Sequence, residues 1–503
     1  MSKLFPKLIF ILLVVLFLIN SLVVLLDKPA VWPDEAIYSN IARNFITRGQ
    51  LATDLWGGLK PGADQYAAWN PPVFFLTLSV WLMLFGYSIV AQRLLSVVFG
   101  LGIIWLIYLL TPKLVRIKHP LIGLIPILGL VIDFHFVRGT RLSRPDIQAL
   151  FLIIFSIYLS FSKILIRSQP IQLKRFLPTS FLSHFITGIL MGLAILTHPI
   201  AICFSFIPLV NWYKPQKSLF VRHLISYFLG ALSPIIIWLL LVWHHWHIIW
   251  QQLSLAAARK GLETPWIIEV VRGHNIWLQV MFLLMTIISI LYLLYVKNHF
   301  NRSRLVIITL LATSWFASIF GRQLWYTIYL IPFLYLAITD LINTYYHHKD
   351  ANKNNLALIC LLLATNFIYS FLTIYDIKSH HLSYFQFAQK VQQSIPDGSA
   401  IFLSAIPDPY FGLAGTNHHY TIYEFPDYQA PLDQYTKLLH EVDYVVYTGS
   451  QEQVVFGNFL ANYLSHNTDQ VISIGQVGEY QAQIHKLVPS NLRQPPTSKL
   501  PTP

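Results

Sequence analysis

Residues 32–45 read WPDEAIYSNIARNF and follow closely on the apolar run from Leu8 to Leu26. A helical run of that length crosses a hydrocarbon core of roughly 30 Å. Two adjacent carboxylates, Asp34 and Glu35, therefore lie where the chain leaves the bilayer. A charged group at such a position costs free energy unless it is paired or hydrated, so both residues are candidates for a functional role.

The composition places the whole chain in the membrane class. Of its 503 residues, 55% are hydrophobic and 11% are charged, and the mean hydropathy is +0.55. Soluble domains carry about 25% charged residues, so an ordinary soluble protein is excluded. The net charge of +13 comes from short basic clusters that lie between apolar runs. Such clusters determine the membrane topology and do not indicate a nucleic-acid partner. Both cysteines, Cys203 and Cys360, lie inside apolar runs, so no disulfide is predicted.

The apolar runs predict eleven transmembrane helices. The first follows Lys3 and Lys7 but lacks a small-x-small cleavage site, so it is interpreted as an uncleaved helix. With a cytoplasmic N-terminus, the basic loops fall on the cytoplasmic side, as the positive-inside rule requires. We therefore expect a multi-pass protein of the cell (inner) membrane. The predicted spans are 8–26, 91–110, 120–137, 147–165, 180–197, 199–213, 224–243, 276–296, 305–320, 323–343 and 355–374.

The segment PPVFFLTLSVWLMLFG, residues 71–86, is apolar enough to form a further span. A span here would move every later basic loop to the outside. We therefore interpret it as a helix that lies in, or dips into, the outer interface, a depth that suits Trp69 and Trp81.

The composition changes after about residue 376. Short β-rich stretches at 400–406, 419–425, 443–449 and 470–475 alternate with helical patterns such as LDQYTKLLHEV. The predicted organisation is a transmembrane domain, 1–375, with a long first external loop, 27–90. A small α/β domain, 376–488, follows on the periplasmic or extracellular side, and the Pro-rich tail 489–503 is expected to be disordered.

The same topology places two charged loops outside. The first loop carries Asp34 and Glu35, and HFVRGTRLSRPD, residues 135–146, carries Arg141, Arg144 and Asp146. Asp34 and Asp146 each follow a proline and precede a helical pattern, so each is also a candidate helix cap. Capping and function are compatible, because a capping carboxylate can still face a cavity. The common location of the charges on one side favours a functional site there.

The stretch PDEAIYSNIARNFITRGQ resembles the first external loop of the polyprenyl-phosphate-dependent GT-C glycosyltransferases, in particular the protein O-mannosyltransferases and lipid A aminoarabinose transferases. The similarity continues through NPPVFFLTLSVWLMLFGYSIVAQRLLSVVFGL, RLSRPD, GLAILTH and WYTIYLIPFLYLAI, over about 340 residues. The α/β domain is matched loosely.

The resemblance implies transfer of a sugar from a lipid-linked donor, a polyprenyl-phosphate sugar, to a lipid, glycan or protein acceptor on the outer side. Asp34 would be the general base in an inverting displacement. Glu35 and Asp146 would orient the acceptor or hold an arginine. The remaining roles are phosphate binding by Arg141, Arg144, Arg322 and Arg272, and lining of the pocket by Tyr38, Asn70 and Tyr326.

Two positions depart from the family pattern. Trp69 and Asn70 stand where the lipid A branch commonly has an acidic-Lys pair before Pro-Pro, and His198 stands where many relatives have lysine. The aminoarabinose interpretation is weakened accordingly. Donor phosphate would then rely on the arginines above, or on Arg259, Lys260, Arg272 and His274 of the external loop 244–275.

Other functional classes remain open. A transporter or lipid flippase would show charges near the middle of its spans and repeated halves, and neither is evident. A non-catalytic assembly factor that binds partners through its α/β domain is a second alternative. No P-loop or dinucleotide fingerprint occurs. His244, His245 and His247 are a poor set of metal ligands, because no cysteine or carboxylate lies near them in the sequence. No metal site is predicted, and a metal requirement cannot be read from the sequence.

Overall fold

The computed structural model describes residues 4–117, 119–161, 179–212, 217–262, 266–272, 275–298, 300–345, 353–377, 382–415, 419–425, 432–449, 455–477 and 480–494. Its helices are α1 (Leu4–Leu22), α2 (Pro33–Arg48), α3 (Val73–Phe85), α4 (Ile89–Leu114), α5 (Ile125–Ile132), α6 (Phe134–Arg141), α7 (Pro145–Phe161), α8 (Thr179–Ile195), α9 (Ile207–Trp212), α10 (Lys217–Leu241), α11 (Trp246–Leu262), α12 (Trp266–Arg272), α13 (Ile276–Asn298), α14 (Arg302–Gly321), α15 (Ile331–Tyr345), α16 (Lys353–Ile377), α17 (Tyr384–Ser394), α18 (Tyr410–Ala414), α19 (Leu432–Glu441) and α20 (Val455–Asn467). The strands are β1 (Ala400–Ser404), β2 (Thr421–Glu424), β3 (Tyr444–Tyr447), β4 (Thr468–Val477) and β5 (Tyr480–Leu487).

The helices confirm the predicted fold class, a polytopic helical membrane protein with a small α/β domain. Within the described ranges, seven helices are long and apolar enough to cross a membrane, and α5 with α6, bent by 58°, makes an eighth if the pair is one span. Each of the eleven predicted runs coincides with helical structure. The last residues of the fourth and sixth runs lie outside the described residues. The shorter apolar helices are Val73–Phe85, Pro145–Phe161, Phe181–Ile195 and Pro199–Trp212.

Helix α3 corresponds to the ambiguous segment 71–86. It has 13 residues, well short of the roughly 20 that a transmembrane helix needs. Phe74 and Phe75 are buried against Tyr38 of α2, with ring centroids 5.5 and 5.7 Å from the tyrosine ring. Its length therefore agrees with the interpretation that this segment is not a full span.

The chain divides into two compact units. The first consists of Met1–Val23, Ser96–Trp243 and Leu262–Thr373, and the second of Val24–Leu95, His244–Gly261 and Ile374–Pro503. The first loop, residues 27–90, thus belongs to the same unit as the α/β domain. The sequence-based division had instead assigned that loop to the transmembrane domain.

Close helix packing and buried polar contacts organise the first unit. Helices α8 and α10 approach so closely at Gly188 that an added Cβ would lie 2.0 Å from the Tyr227 carbonyl oxygen. Small residues at such crossings let apolar helices make close van der Waals contact in a membrane. At the bend between α5 and α6, Asp133 accepts hydrogen bonds from the Phe136 backbone N–H (3.1 Å) and the Tyr335 hydroxyl (3.0 Å).

The second unit contains a five-stranded mixed sheet in the order β2-β1-β3-β5-β4. Strand β1 is parallel to β2 and β3, whereas β5 is antiparallel to β3 and β4. Strands β1 to β4 match the four predicted stretches, and β5 was not predicted. Part of the predicted disordered tail is ordered, because the Gln494 N–H donates to Asn467 Oδ1 at 2.7 Å. Residues 495–503 lie outside the described residues.

The first loop is built into this unit through long-range backbone contacts. The Glu424 N–H at the end of β2 donates to the Leu55 carbonyl (2.7 Å), and the Asp408 N–H donates to the Val31 carbonyl (2.9 Å). Leu59 is buried in the hydrophobic core beside Phe402 of β1. These contacts fix the loop on the carboxyl ends of the parallel strands.

Candidate active site

The two candidate carboxylates begin helices in the same way. Each helix starts with proline followed by aspartate: Pro33 and Asp34 in α2, and Pro145 and Asp146 in α7. Proline suits the first helical position, because a backbone N–H at that position has no acceptor within the helix and its absence costs nothing. An aspartate in the first turn interacts favourably with the positive end of the helix dipole. Both aspartates thus lie at the second helical position, within the first turn. The N-cap position of α2 belongs to Trp32, so Asp34 is not the cap that the sequence offered as an alternative.

Asp34 and Glu35 have different environments although they are neighbours. Asp34 is half-buried, whereas Glu35 is completely buried and accepts a hydrogen bond from the Trp32 N–H at 3.1 Å. The Glu35 carboxylate forms a two-point ion pair with Arg93 of α4, with Nε to Oε1 at 2.9 Å and Nη2 to Oε2 at 2.5 Å. Glu35 therefore takes the second of its two expected roles: it holds an arginine.

Arg93 in turn fixes the chain that leads into α2. Its side chain is completely buried and donates to three further acceptors, the backbone carbonyl oxygens of Leu25, Pro29 and Ala30. Arg93 therefore links the end of the chain that follows α1 to the start of α2, and this fixes the turn that precedes Asp34. The sequence contained Arg93 in its AQRLL motif but gave no signal for its partner, which lies 58 residues earlier.

A polar and aromatic cluster continues from Asp34 along the first loop. Tyr38 lies four residues after Asp34, on the same face of α2, and its hydroxyl accepts a hydrogen bond from Asn70 Nδ2 at 3.2 Å. Next to Asn70, the Trp69 ring contacts the Trp56 ring at 4.4 Å between centroids. Lys60 Nζ lies over both indoles, 4.0 Å from Trp69 and 4.3 Å from Trp56.

Lys60 is a residue that the sequence analysis missed. It is only 4% exposed, and the two indole faces stabilise its ammonium group by cation–π contacts. The loop therefore holds a buried cation over Trp69, the neighbour of Asn70, and Asn70 stands where the family pattern has lysine. The one feature of the sequence that could have indicated this role is that Lys60 lies between Trp56 and Trp69 in the same loop. The folding of the loop then brings the lysine and the two tryptophans together.

Two further carboxyl groups interact electrostatically with the start of α2: Glu424 with Asp34, and Asp408 with Glu35. Asp408 follows β1, and Glu424 ends β2. Burial raises the pKa of Asp408 to about 6 and raises the pKa of Glu424 well above its usual range. The carboxyl groups hydrogen-bond to each other, and the Asp34 carboxylate raises the pKa of Glu424 further. The hydrogen bond between the two carboxyl groups raises the pKa of Glu424 and lowers that of Asp408.

In the first unit, Asp146 is the centre of a second charged cluster. Arg144 Nε lies 3.2 Å from Asp146 Oδ2, and His198 Nε2 lies 3.8 Å from Asp146 Oδ1. The guanidinium groups of Arg144 and Arg138 both lie over the Trp325 ring, at 5.3 and 4.5 Å from its centroid. These side chains, except His198, line a small cleft. Arg138 and Trp325 had no assigned role in the sequence analysis.

The remaining predicted residues are distributed around the first unit. Arg141 is 4% exposed and donates to the Asn20 carbonyl of α1. Arg322 follows α14 with a left-handed backbone (φ 61°), and Arg272 is exposed at the end of α12. Tyr326 is buried, and its ring centroid lies 5.5 Å from that of His198. Tyr326 is thus next to the Asp146 cluster through His198. Arg259, Lys260 and His274 lie among the residues whose side chains are not described.

Among the described residues, no group of three or more histidine, cysteine, aspartate or glutamate side chains is arranged to hold a metal ion. Of the histidines considered above, His245 stacks on the Tyr66 ring with 5.4 Å between centroids.

Comparison with solved structures identifies the fold. The chain superimposes on ArnT from Cupriavidus metallidurans, solved bound to undecaprenyl phosphate, with a TM-score of 0.57 and 13% identity, covering 96% of this chain and 98% of that chain. It also superimposes on the oligosaccharyltransferase AglB from Archaeoglobus fulgidus, solved with an inhibitory peptide and a dolichol-phosphate. The TM-score is 0.55 and the identity 11%, with 95% of this chain and 74% of that chain covered.

Sequence comparison adds less. No protein-family model matches the chain. An uncharacterized protein from Aquifex aeolicus (strain VF5) is 27% identical over 131 residues, and the matched part is 26% of this chain and a quarter of that protein's length. The structural similarities therefore carry the classification. The chain has the fold of the GT-C membrane glycosyltransferases, which confirms the resemblance first seen in residues 33–50.

Proposed function

We propose that this protein is an integral membrane glycosyltransferase that moves a sugar from a polyprenyl-phosphate carrier to an acceptor on the outer side of the membrane. The observation that carries the proposal is the end-to-end fold similarity to ArnT, together with a half-buried aspartate at the start of α2. The two structural neighbours were solved with a polyprenyl-type phosphate, undecaprenyl phosphate and dolichol-phosphate respectively.

Asp34 is proposed as the general base. As the acceptor hydroxyl attacks the anomeric carbon, its proton passes to the Asp34 carboxylate. The new bond joins the acceptor oxygen to the anomeric carbon, and the bond from that carbon to the carrier phosphate oxygen breaks. A single displacement of this kind inverts the anomeric configuration. The leaving group is a polyprenyl phosphate, and its negative charge requires nearby cations.

Arg144 is proposed as a contact for that phosphate. Its guanidinium is 12% exposed and is oriented between the Asp146 carboxylate and the Trp325 ring. A guanidinium oriented in this way loses little side-chain entropy when it binds phosphate oxygens. Arg141, Arg272, Arg322 and the buried Lys60 remain further proposed sources of positive charge, and Tyr38, Asn70 and Tyr326 remain proposed pocket residues.

The proposal is tested with the full chain purified in native lipids. Mass spectrometry of bound lipids should detect a polyprenyl-phosphate sugar, and incubation with a labelled donor should transfer label to a lipid, glycan or protein acceptor. Asp34→Asn should lower kcat by about 10²- to 10⁴-fold. The control is Asp433→Asn, an exposed aspartate of α19. Full transferase activity in Asp34→Asn would remove Asp34 from the mechanism. A chain that transports labelled lipid without transferring sugar would be a flippase.

A further inference from the structure

An open groove in the second unit has no role in the proposed chemistry. Its volume is about 1120 Å³, above the roughly 300–1,000 Å³ of small-molecule sites, so it accommodates an extended ligand. One wall is α2 and the loop after it, and the other is the segment that includes α18 and the edge strand β2. The residues that line it are Asn40, Arg43, Asn44, Thr47, Arg48, Asp54, Leu55, Gly57, Asp64, Tyr410, Leu413, Ala414, His419, Tyr420, Thr421, Ile422 and Tyr423.

The two walls are fastened to each other at the base of the groove. Asn40 Nδ2 donates to the Tyr410 hydroxyl at 3.2 Å, and Asn40 Oδ1 accepts from Thr53 Oγ1 at 2.8 Å and from the Asp54 N–H at 3.1 Å. The Tyr87 hydroxyl lies 2.9 Å from the Tyr410 hydroxyl. Because the polar groups are already held in place, a ligand that binds here does not have to order them first.

The lining chemistry selects a hydrophilic ligand without a large net charge. Arg43 and Arg48 are balanced by Asp54 and Asp64, two positive charges against two negative ones. Amide, guanidinium and carboxylate groups provide donors and acceptors together, which matches hydroxyl groups, since each hydroxyl both donates and accepts. An acyl chain would displace water from these polar groups without offering hydrogen bonds in return, at a cost in free energy.

Aromatic side chains complete the pattern. Tyr420 and Tyr423 are half-buried and line one side of the groove, whereas Tyr410 is 1% exposed and offers no ring face to a ligand. Gly57 leaves room for the Tyr423 ring, because a Cβ on Gly57 would lie 3.0 Å from that ring. Tyrosine combines an apolar ring face with a polar hydroxyl, so it contacts the C–H face of a sugar and its hydroxyls at once. An extended peptide would instead pair with the edge of β2, which is only four residues long and whose last residue, Glu424, already donates its N–H to the Leu55 carbonyl.

We propose that this groove binds an oligosaccharide portion of the acceptor, a neutral or zwitterionic glycan several sugars long. Calling this ligand a part of the acceptor rests on the proposed transferase function. The binding of the glycan itself does not depend on transfer. Asp34 is not among the lining residues. The groove therefore holds a part of the acceptor remote from the reacting hydroxyl, and its binding energy favours long acceptors over monosaccharides.

The test measures binding directly, without donor. The full chain in lipid nanodiscs is titrated with three probes: neutral and amino-sugar oligosaccharides, uronic-acid oligosaccharides, and an unstructured polar peptide. We expect the neutral or amino-sugar set to bind and the other two to bind at least tenfold more weakly. Binding of the peptide alone, or of no probe, overturns the proposal.

Two variants locate the binding. Arg43→Ala removes an exposed guanidinium, and Thr421→Trp fills the groove from an exposed position on β2, where an aromatic residue is well tolerated. Each should weaken glycan binding at least tenfold, whereas Lys437→Ala, an exposed position on α19, should leave it unchanged. Unchanged affinity in Thr421→Trp refutes the groove as the site. Glycan binding without any transferase activity would refute the proposed function and leave the groove assignment standing.

Discussion

The ion pair between Glu35 and Arg93 leads to a sharp prediction about stability. Glu35→Gln keeps the shape of the side chain and removes its charge, so the Arg93 guanidinium remains buried without a counter-ion. Both side chains are 0% exposed, and both oxygens of the carboxylate contact the guanidinium, at 2.9 and 2.5 Å. Solvent therefore cannot compensate for the lost charge.

The expected loss follows from that burial. Removing one partner of a buried ion pair costs about 3–5 kcal/mol, because the other charge stays desolvated and unpaired. Three backbone carbonyls still accept hydrogen bonds from Arg93, which places the expected loss near the lower limit, about 3 kcal/mol. Arg93→Lys should also destabilise, since an ammonium cannot make the two-point contact.

The measurement is the unfolding midpoint of the purified protein in one detergent, read from tryptophan fluorescence in denaturant. The same helix provides a matched control. Arg48 and Asp54 form an ion pair in which both side chains are 49% exposed, and Arg48→Gln should cost at most about 1 kcal/mol. If Glu35→Gln destabilises no more than Arg48→Gln, then the pair does not hold the entrance to α2 as argued.

Further predictions concern charge and pH. Because burial raises the pKa of Asp408 from 3.8 to about 6, its protonation stabilises the fold: the contribution is fully present below about pH 4 and is lost as pH rises through 6. Acidification from pH 7 to 5 should therefore add ~1 kcal/mol, measured as a shifted unfolding midpoint, and Asp408→Asn should abolish the shift. Lys60→Met should keep the contact with Trp56 and Trp69 while raising the donor KM at least tenfold in a transfer assay, if its ammonium contacts the donor phosphate. Arg144→Gln should raise the donor KM similarly, with a smaller effect on the acceptor KM; equal effects on both would argue against phosphate binding.

Local patterns in the sequence were sufficient to locate the apolar helices. Hydropathy reports the burial of each segment in lipid, a property that depends on about 20 consecutive residues and not on distant ones. The eleven apolar runs therefore coincided with helical structure, but among the described residues only seven helices, or eight with the bent pair, are long and apolar enough to cross a membrane. The length of α3 agrees with its separate interpretation. The Pro-Asp pairs at 33–34 and 145–146 likewise marked the starts of α2 and α7, since N-terminal helix preferences are local.

The sequence left open which of the two neighbouring carboxylates at the start of α2 is paired and which stays accessible. Asp34 and Glu35 are adjacent and chemically alike, yet tertiary structure buries one against Arg93 and leaves the other half-buried. The distinction arises from α4, which returns 58 residues later and supplies a guanidinium to one side of α2 only. No local propensity encodes that pairing.

Long-range contacts also decided how the first loop is organised. Leu55 and Val31 accept hydrogen bonds from residues 369 and 377 positions later in the chain, Glu424 and Asp408, and this joins the loop to the sheet in one compact unit. The groove beside α2 and the Asp408–Glu424 pair exist because those segments meet. The amino-acid sequence by itself determined the membrane helices and the candidate base. Only the tertiary structure decided which charges are paired and which surfaces are open to a ligand, because both depend on contacts between segments that are distant in the chain.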